Sequence, residues 1–384
     1  MKPVHFRFRP APAPASMESN GTLLQVLNAL SVSEGTRAYS RLRADVSAAG
    51  ILDKSYWFYA FLITFAFGGF FASAAAIYLL DSYLLLIPAC LAFTFFSLQL
   101  AGVNHDAGHR AVFKSVRLNN ILGVCTSFCL GIVFENWRTR HNEHHARPNQ
   151  PNDPDLYIPF LATDVNQLGS KGPIESRLLR FQAWYFYPLG ALVSFSNRLG
   201  TISYFRGRPL NRGDLWRFPL YAIGIFFLFV APFVFFDPLK AVFVLLLVHI
   251  TSGFYLASCF APNHKGMTIL DDDARVSFIE QQVVTGRSVT GGRLTELILL
   301  GLNHQTEHHL FPQTPRHKLH RITPRLQLVC DEHGIHFERA SFLKTNRDIV
   351  NVLRDVAREA RSTRTLNNAD AIEEAQALVV SGGD

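Results

Sequence analysis

Four long apolar stretches, grouped in two pairs, dominate the pattern of hydrophobic and polar residues along the chain. Residues 59–80 contain no charged side chain, and after two polar residues a second stretch covers 83–103. The second pair covers 218–236 and 241–260, with a short turn between them. Each stretch has about the 20 residues that a helix needs to cross a bilayer. The pattern therefore predicts four transmembrane helices arranged in two hairpins.

Two shorter apolar stretches, 119–134 and 181–197, lie between the hairpins. Both are shorter than a typical span, and we interpret them as helices that lie in the membrane interface or dip into it. Basic residues flank the four spans on one side, whereas the turns on the other side carry only Lys240. The positive-inside rule then places both termini and the long middle segment in the cytoplasm.

Composition agrees with a membrane protein. Of the 384 residues 48% are hydrophobic and only 17% are charged, and the formal net charge is +7. The basic residues cluster at the ends of apolar stretches, which indicates a membrane surface and excludes nucleic acid as the partner. The five cysteines form no CxxC pair, so a disulfide framework, a zinc ribbon and an iron–sulfur cluster lack support. Any electrons that the protein uses must come from elsewhere.

The two ends of the chain differ in composition from its apolar middle. Residues 1–20 are basic and rich in proline and alanine, which predicts disorder. Helical spacing of apolar residues runs through 345–362, and 365–384 is expected to be loose. The predicted organisation is a partly disordered N-terminal lead (1–50), a membrane domain (51–325), and a C-terminal cytoplasmic helix with a loose tail (326–384).

Histidines concentrate in short motifs just beyond the apolar stretches, on the predicted cytoplasmic side. The motifs are HDAGH, HNEHH, PNHKG and QTEHH. Positions three or four apart share one face of a helix, and neutral imidazole suits iron, copper, nickel and zinc. Eight imidazoles are too many for one metal ion, so the motifs predict two. The candidate ligands are His105, His109, His141, His144, His145, His264, His308, His309 and, as an amide, Gln305.

Polar residues within and beside these motifs are candidates for supporting the ligand rings, because a ligating imidazole donates its other N–H to a nearby acceptor. The alternative is that they are solvent-facing charges at the membrane border. These candidates are Asp106, Glu143, Glu307 and Asn263. Asp153 and Asp155 in NDPD either support ligands or form a simple turn. His304 would point about 100° away from Gln305 on a helix, and its role stays open.

The remaining histidines lack ligand spacing and are interpreted as structural or surface residues. A metal transporter would place histidines inside the spans, but only one lies in the middle of a span and it has no partner there. We therefore set aside a transporter, and also a structural membrane protein with incidental histidines. The histidines outside the motifs are His5, His249, His317, His320, His333 and His336.

HDAGH, HNEHH and QTEHH resemble the three histidine boxes, HxxxH, HxxHH and QxxHH, of the membrane-bound fatty acid desaturase family. The resemblance runs from about residue 55 to 325, and PNHKG resembles the additional Asn/His element of that family. It implies an all-α integral membrane fold in which four transmembrane helices carry a cytoplasmic helical cap. It also implies two iron ions, held by the candidate ligands above, and O2 as co-substrate for inserting a double bond into an acyl chain.

The glutamine of the third box resembles the front-end subgroup and the bacterial linoleoyl-CoA desaturase-like group. The resemblance implies a fatty acyl substrate carried as a CoA thioester, an acyl carrier protein conjugate or a lipid ester. No HPGG motif of a fused cytochrome b5 domain is present. We therefore expect a separate electron donor, either ferredoxin with its reductase or cytochrome b5. In a bacterium the protein would lie in the inner membrane.

Trp137, Arg138 and Arg140 precede the second box. They either contact the acyl head group or anchor their helix at the membrane interface. A hydroxylase or ketolase of the same histidine-box superfamily is the alternative enzyme, because its boxes are the same and only the product differs.

Overall fold

The computed structural model of the protein describes residues 30–206, 209, 211–272 and 274–381. Beyond residue 362 it describes the course of the last helix only. The predicted disorder of residues 1–20 and the isolated His5 lie outside this part of the chain.

The described chain is almost entirely helical. A π-helical turn covers Phe226–Val230, and short 3₁₀ helices cover Val165–Ser170 and Arg316–Arg321. In chain order, the helices are α1 (Val32–Ala48), α2 (Tyr56–Leu79), α3 (Tyr83–Gly108), α4 (Val116–Leu130), α5 (Phe134–Ala146), α6 (Pro173–Leu179), α7 (Gln182–Gly190), α8 (Val193–Arg206), α9 (Asp214–Ile225), α10 (Ala231–Phe235), α11 (Pro238–His264), α12 (Phe278–Val284), α13 (Arg293–Ile298), α14 (Gln305–Leu310), α15 (Thr323–His333) and α16 (Phe342–Ser381).

Four helical segments of the described chain are long and apolar enough to cross a membrane: α2, α3, the α9–α10 segment Asp214–Phe235, and α11. This confirms the predicted spans, although α3 and α11 each continue several residues beyond the apolar stretch. Because each hairpin reverses the chain, α3 and α11 run in the same direction and end on the same face of the bundle. The extra turns carry His105 and His264 to that face.

The two hairpins are tied together at the opposite face. Lys240 Nζ donates to Leu80 O at 2.7 Å, lies 3.3 Å from Asp81 Oδ1 and sits over the ring of Phe236. Asp237 caps the start of α11 by accepting from two backbone N–H groups. Lys240, the only basic residue in the two turns at this face, therefore contacts the turn of the other hairpin as well as a ring beside its own turn.

A proline breaks the third span, and a histidine of the fourth span faces the break. Pro232 has no backbone N–H, so the carbonyl of Leu228 loses its helical donor and the helix widens into the π-helical turn. His249 Nε2 lies 3.5 Å from Leu228 O, and its Nδ1 lies 3.0 Å from Ser194 Oγ. His249 is thus structural, as predicted, and satisfies polar groups inside the bundle.

The predicted interfacial segments are not single helices. Within 119–134, α4 stops at Gly131, whose φ of +64° suits a residue without a Cβ, and α5 leaves at 106° to α4. The second segment, 181–197, divides between α7 and α8, and α8 continues to Arg206. Their placement at a membrane interface stays a prediction. The sharp bend matters because it turns α5, with the second histidine motif, toward the end of α3.

The helices beyond the bundle pack into a cap. Its apolar cluster includes Leu42 on α1, Ile279 on α12 and Leu326 on α15, and so joins segments from both ends of the chain. Two three-residue strands, β1 (Ser288–Thr290) and β2 (Arg339–Ser341), pair in parallel beside it. These strands are the exception to an otherwise all-α fold.

The last helix is longer than predicted. α16 buries Ile349, Leu353 and Val356, which agrees with the helical spacing over 345–362. The tail from 365 was expected to be loose, but α16 continues to Ser381. The physical reason is that 363–381 contains neither glycine nor proline and has several strong helix formers.

The close contact between α11 and the α7–α8 turn depends on a missing side chain. A Cβ on Gly253 would lie 2.1 Å from Ala191 O, a backbone atom that cannot move aside alone. We expect Gly253→Ala to lower the free energy of unfolding by about 1–3 kcal/mol through overpacking, measured by denaturant unfolding in detergent. Gly68→Ala is the matched control because nothing lies within 4 Å of its Cβ position. Equal stability of the two variants would contradict this packing.

Candidate metal centre

All eight predicted histidine ligands meet at the cap end of the bundle. His105 and His109 come from the end of α3, and His264 comes from the end of α11. The bent helix α5 contributes the second motif, and the short helix α14 contributes the third. Motifs that lie up to two hundred residues apart in the sequence are thus neighbours in space.

The histidines form two groups. The first, here called the five-histidine cluster, contains His105, His109, His141, His145 and His308, and each contributes a ring nitrogen within 4.8 Å of the others. In it His145 Nε2 lies 3.2 Å from both His141 Nε2 and His308 Nε2. Such a set of converging nitrogens is the arrangement expected around a metal ion.

The second group, here called the three-histidine cluster, contains His144, His264 and His309, again within 4.8 Å of one another. His144 Nε2 lies 3.3 Å from His264 Nε2. The side-chain amide of Gln305 lies 2.9 Å from His264 Nε2, and Asn263 donates to its oxygen at 2.9 Å. The amide nitrogen of Gln305 therefore faces the cluster while its oxygen is held by Asn263, and the role of Gln305 as a metal ligand stays a prediction.

The motifs split between the clusters because consecutive helical residues point about 100° apart. His141 and His145, four residues apart, share a helix face and join the five-histidine cluster, whereas His144 faces the other cluster. His308 and His309 divide in the same way. The adjacent histidines of HNEHH and of QTEHH therefore place the two clusters side by side.

The residues present fit metal ions. Two nitrogens bound about 2.1 Å from one metal, at angles between octahedral and tetrahedral, stand roughly 3.0–3.4 Å apart. The Nε2–Nε2 distances of 3.2–3.3 Å match that separation. Several buried ring nitrogens also have no hydrogen-bond partner among the described residues: His105 Nε2, His109 Nε2, His145 Nδ1 and His309 Nε2. Buried acceptors are rarely left bare, and a metal ion is a partner for His105 Nε2, His109 Nε2 and His309 Nε2, whereas His145 turns its other nitrogen, Nε2, toward its cluster.

Hydrogen bonds on the far side of the rings fix which nitrogen faces the three-histidine cluster. His144 Nδ1 lies 3.0 Å from both carboxylate oxygens of Asp153, so Asp153 supports the ring of His144. His264 Nδ1 lies 2.9 Å from Thr285 O, and His309 Nδ1 lies 2.8 Å from Gln282 Oε1. Each acceptor holds a proton on Nδ1 and leaves Nε2 free to ligate.

Asp106 lies behind a ring of the five-histidine cluster, as Asp153 lies behind His144 in the other cluster. Its Oδ1 lies 3.5 Å from His105 Nδ1, and its Oδ2 accepts from Arg316 Nε at 2.6 Å and from the Tyr59 hydroxyl at 2.9 Å. The aspartate was predictable from its place inside the first motif, whereas Arg316 and Tyr59 lie outside every histidine motif and carry no such signal.

Two predicted supporting residues have other roles. Glu143 is exposed and bonds no ligand ring, because it lies on the opposite side of α5 from the histidines. Glu307 is fully buried, but it accepts from the hydroxyls of Ser288 and Thr323 and so joins α14 to β1 and α15. Its nearest imidazole is that of His304, at 3.8 Å.

His304 turns away from both clusters. It precedes the first residue of α14, and its Nε2 lies 3.3 Å from Glu296 Oε1. Asp155 is also peripheral, with a side chain that is 56% exposed. The histidines predicted to be structural or on the surface lie outside the clusters wherever the structure describes them, namely His249, His317, His320, His333 and His336.

The three residues before the second motif differ in their surroundings. Trp137 stacks on the ring of His141 with 4.8 Å between centroids. Arg138 donates to an amide oxygen on α4, and Arg140 lies 3.5 Å from Asp155. These contacts leave the predicted role in binding an acyl head group as a prediction.

Burial keeps the third-motif imidazoles neutral. Loss of solvent, followed by repulsion from neighbouring histidines, holds the pKa of His308 and of His309 well below the usual range. Burial raises the pKa of Asp153, but the hydrogen bond and charge interaction with His144 and two bonds from backbone N–H groups together lower it overall. Neutral imidazoles in the third motif and an ionised Asp153 are the protonation states that ligation, and the support of a ligand ring, require.

Comparison with known proteins agrees with this site. The model of the family described as fatty acid desaturase matches residues 81–340. The chain is 29% identical over 279 residues to an acyl-lipid (9-3)-desaturase of Physcomitrium patens, covering 68% of this chain and 51% of that protein. It is 26% identical over 322 residues to a delta(8)-fatty-acid desaturase of Euglena gracilis, covering 80% and 75% respectively.

A third relative, an acyl-lipid (9-3)-desaturase of Borago officinalis, is 28% identical over 350 residues, which cover 86% of this chain and 77% of the relative. The match thus spans about half the length of the moss protein and three quarters of the other two. The chain is a multi-pass membrane protein with a histidine-rich site that can hold metal ions, and it belongs to the fatty acid desaturase family.

The buried neutral histidines predict how the metal-free protein responds to acid. The unfolded chain takes up protons on its histidines below pH about 6.5, whereas folded His308 and His309 have lower pKa values. Stability is therefore complete above that pH and falls as pH decreases, by up to about 1.4 kcal/mol per pH unit for each such group. Unfolding of the metal-depleted protein between pH 8 and 5 measures this slope. A His308→Gln/His309→Gln variant should show a shallower slope, and an unchanged slope would contradict the assignment.

Proposed function

We propose that this protein is a fatty acyl desaturase that inserts a double bond into an acyl chain, with O2 as co-substrate. The observation that carries the proposal is the pair of adjacent histidine clusters, with bare ring nitrogens, at the end of a transmembrane bundle. Membership of the fatty acid desaturase family and the printed activities of its relatives support it.

The metals we propose are two iron ions, one in each cluster. The five-histidine cluster would hold one, and His144, His264 and His309, with Gln305, would hold the other. When bound, the irons supply the oxidising power to remove two hydrogens from adjacent methylene carbons, a step beyond ordinary acid–base groups. Two electrons, two protons and O2 are consumed, and the two hydrogens leave with them as two water molecules.

The chain's own residues prepare the site for this reaction. Asp153, Gln282 and the Thr285 carbonyl hold protons on the outer ring nitrogens, so that the inner nitrogens keep their lone pairs. Trp137 covers one side of His141 and limits the access of water to that ring. A dry, preorganised site strengthens every electrostatic interaction within it.

An apolar cavity in the bundle supports an acyl substrate. It has a volume of about 280 Å³ and is lined by residues such as Phe70, Phe93, Phe128 and Val248. Phe93 precedes His105 by twelve residues of one helix, which is about 18 Å along its axis. Its lining suits the hydrocarbon part of a substrate whose reacting carbons lie near the histidines.

The finer identity of the reaction is also a proposal. The glutamine of the third box and relatives with acyl-lipid or delta(8) names favour a bond placed toward the carboxyl end of the chain. The acyl chain would be carried as a lipid ester, a CoA thioester or an acyl carrier protein conjugate. We propose that ferredoxin with its reductase, or cytochrome b5, supplies electrons at the cytoplasmic side, in a bacterium at the inner membrane. The basic residues near the cap end of the spans support that orientation.

Fatty acid analysis of an expressing host tests the activity. We expect wild-type protein to produce a new unsaturated acid, detected by gas chromatography–mass spectrometry. His308→Ala should abolish it because one ligand of the five-histidine cluster is lost. His336→Ala is the matched control, since that side chain is 68% exposed and belongs to neither cluster. A hydroxylated or keto product would assign the alternative chemistry of the superfamily. Equal product from wild type and His308→Ala would contradict the proposal.

A further inference from the structure

A buried ion pair lies directly behind the five-histidine cluster. Arg316 Nε donates to Asp106 Oδ2 at 2.6 Å, and the Tyr59 hydroxyl donates to the same oxygen at 2.9 Å. Arg316, Asp106 and Tyr59 are 7%, 5% and 1% exposed. Burying two charges costs more than a hydrophobic pair of the same volume, so a pair at this position calls for a function beyond stability.

The other oxygen of Asp106 faces a ligand ring. Asp106 Oδ1 lies 3.5 Å from His105 Nδ1, while His105 Nε2 has no hydrogen-bond partner among the described residues. An imidazole that carries its proton on Nδ1 presents a lone pair at Nε2. The chain of contacts therefore runs from Arg316 through Asp106 to His105 Nδ1, on the ring whose Nε2 faces the cluster.

The surrounding backbone leaves space for this arginine. A Cβ on Gly102 would lie 2.6 Å from Arg316 Nη1, so any side chain there would displace the guanidinium. Gly301 has a φ of +77°, and a Cβ on it would lie 2.9 Å from Arg316 Cβ. Two glycines on separate segments thus line the stem and the head of one side chain. By contrast, the side chain of Arg325 is 32% exposed, and its ion-pair partner Asp45 is 59% exposed.

The pair also connects two histidine motifs. Asp106 lies inside the first motif on α3, whereas Arg316 begins the 3₁₀ helix that follows the third motif. His105 and His308 belong to the same cluster but come from these two segments. A bond between the segments fixes the distance between those two ligands.

We propose that Arg316, with Tyr59, is a positioning residue for the five-histidine cluster: it holds Asp106 so that His105 presents Nε2 to the metal. This inference rests on the proposed metal centre. It assigns no role to Arg316 at the three-histidine cluster, where Asp153 instead accepts from the backbone N–H groups of Asn149 and Asp155. The two clusters thus have independent supports, and each serves as the control for the other.

Cobalt(II) titration of the metal-depleted, full-length protein in detergent tests the inference. Bound metal is counted by mass spectrometry after equilibrium dialysis, and the ligand-field absorption of cobalt reports each site. We expect wild type to bind two ions. Arg316→Gln should bind one ion normally and the other roughly 10–100-fold more weakly, the effect typical of losing a group that supports a ligand. Tyr59→Phe, which removes one hydroxyl only, should lower the affinity for the same ion to a smaller extent.

Three further variants make the test specific. Asp153→Asn should weaken the binding of the other ion. The cobalt absorption that this variant retains, added to the absorption that Arg316→Gln retains, should reproduce the wild-type spectrum. Arg316→Lys, which keeps the charge, should recover part of the lost affinity. The control Arg325→Gln, at a partly exposed residue outside both clusters, should match wild type.

Two results would overturn the inference. One is wild-type affinity and spectrum at both sites in Arg316→Gln and Tyr59→Phe. The other is an equal loss of both ions together with a lower unfolding midpoint of the metal-free protein, which would make the pair purely structural. A wild-type protein that binds no metal would contradict the proposed metal centre itself, and the inference would fall with it.

Discussion

The structure depends on one constraint: eight imidazoles from distant segments are buried together with several ring nitrogens bare. Buried polar atoms without partners are costly, and neighbouring lone pairs repel one another. A metal ion reverses both effects because it attracts all the lone pairs at once. The rest of the fold can be understood as the means of bringing these rings to one place and holding them there without metal.

Three features of the fold meet that constraint. The hairpins end α3 and α11 on one face, so that His105 and His264 arrive on the same side. The bend at Gly131 redirects α5, and adjacent histidines on α5 and α14 then divide between two clusters. Acceptors behind the rings are supplied by buried groups whose own hydrogen bonds are satisfied, as Asp153 shows. The cap and the bundle thus hold the two clusters between them.

Much of this was predictable, and the reasons are physical. Span length follows from uninterrupted apolar sequence, and ligand candidates follow from helical spacing, so both emerged from local pattern alone. The supporting groups did not: Gln282, Thr285 and Arg316 come from segments without a motif, and only tertiary packing brings them to the rings. Glu307 carried a misleading signal, because its position inside a motif says nothing about which helix face it occupies. α16 also extends through the tail that was expected to be loose, because 363–381 contains neither glycine nor proline.

The most direct test of the central claim is iron K-edge X-ray absorption on the purified protein, combined with its iron content. The account predicts two irons per chain whose first shell is dominated by nitrogen, with the outer-shell scattering of several imidazoles at each metal. Purified wild-type protein that, after reconstitution with ferrous iron, still holds no iron would contradict it. So would iron coordinated mainly by carboxylate oxygen or sulfur, because neither cluster contains such ligands.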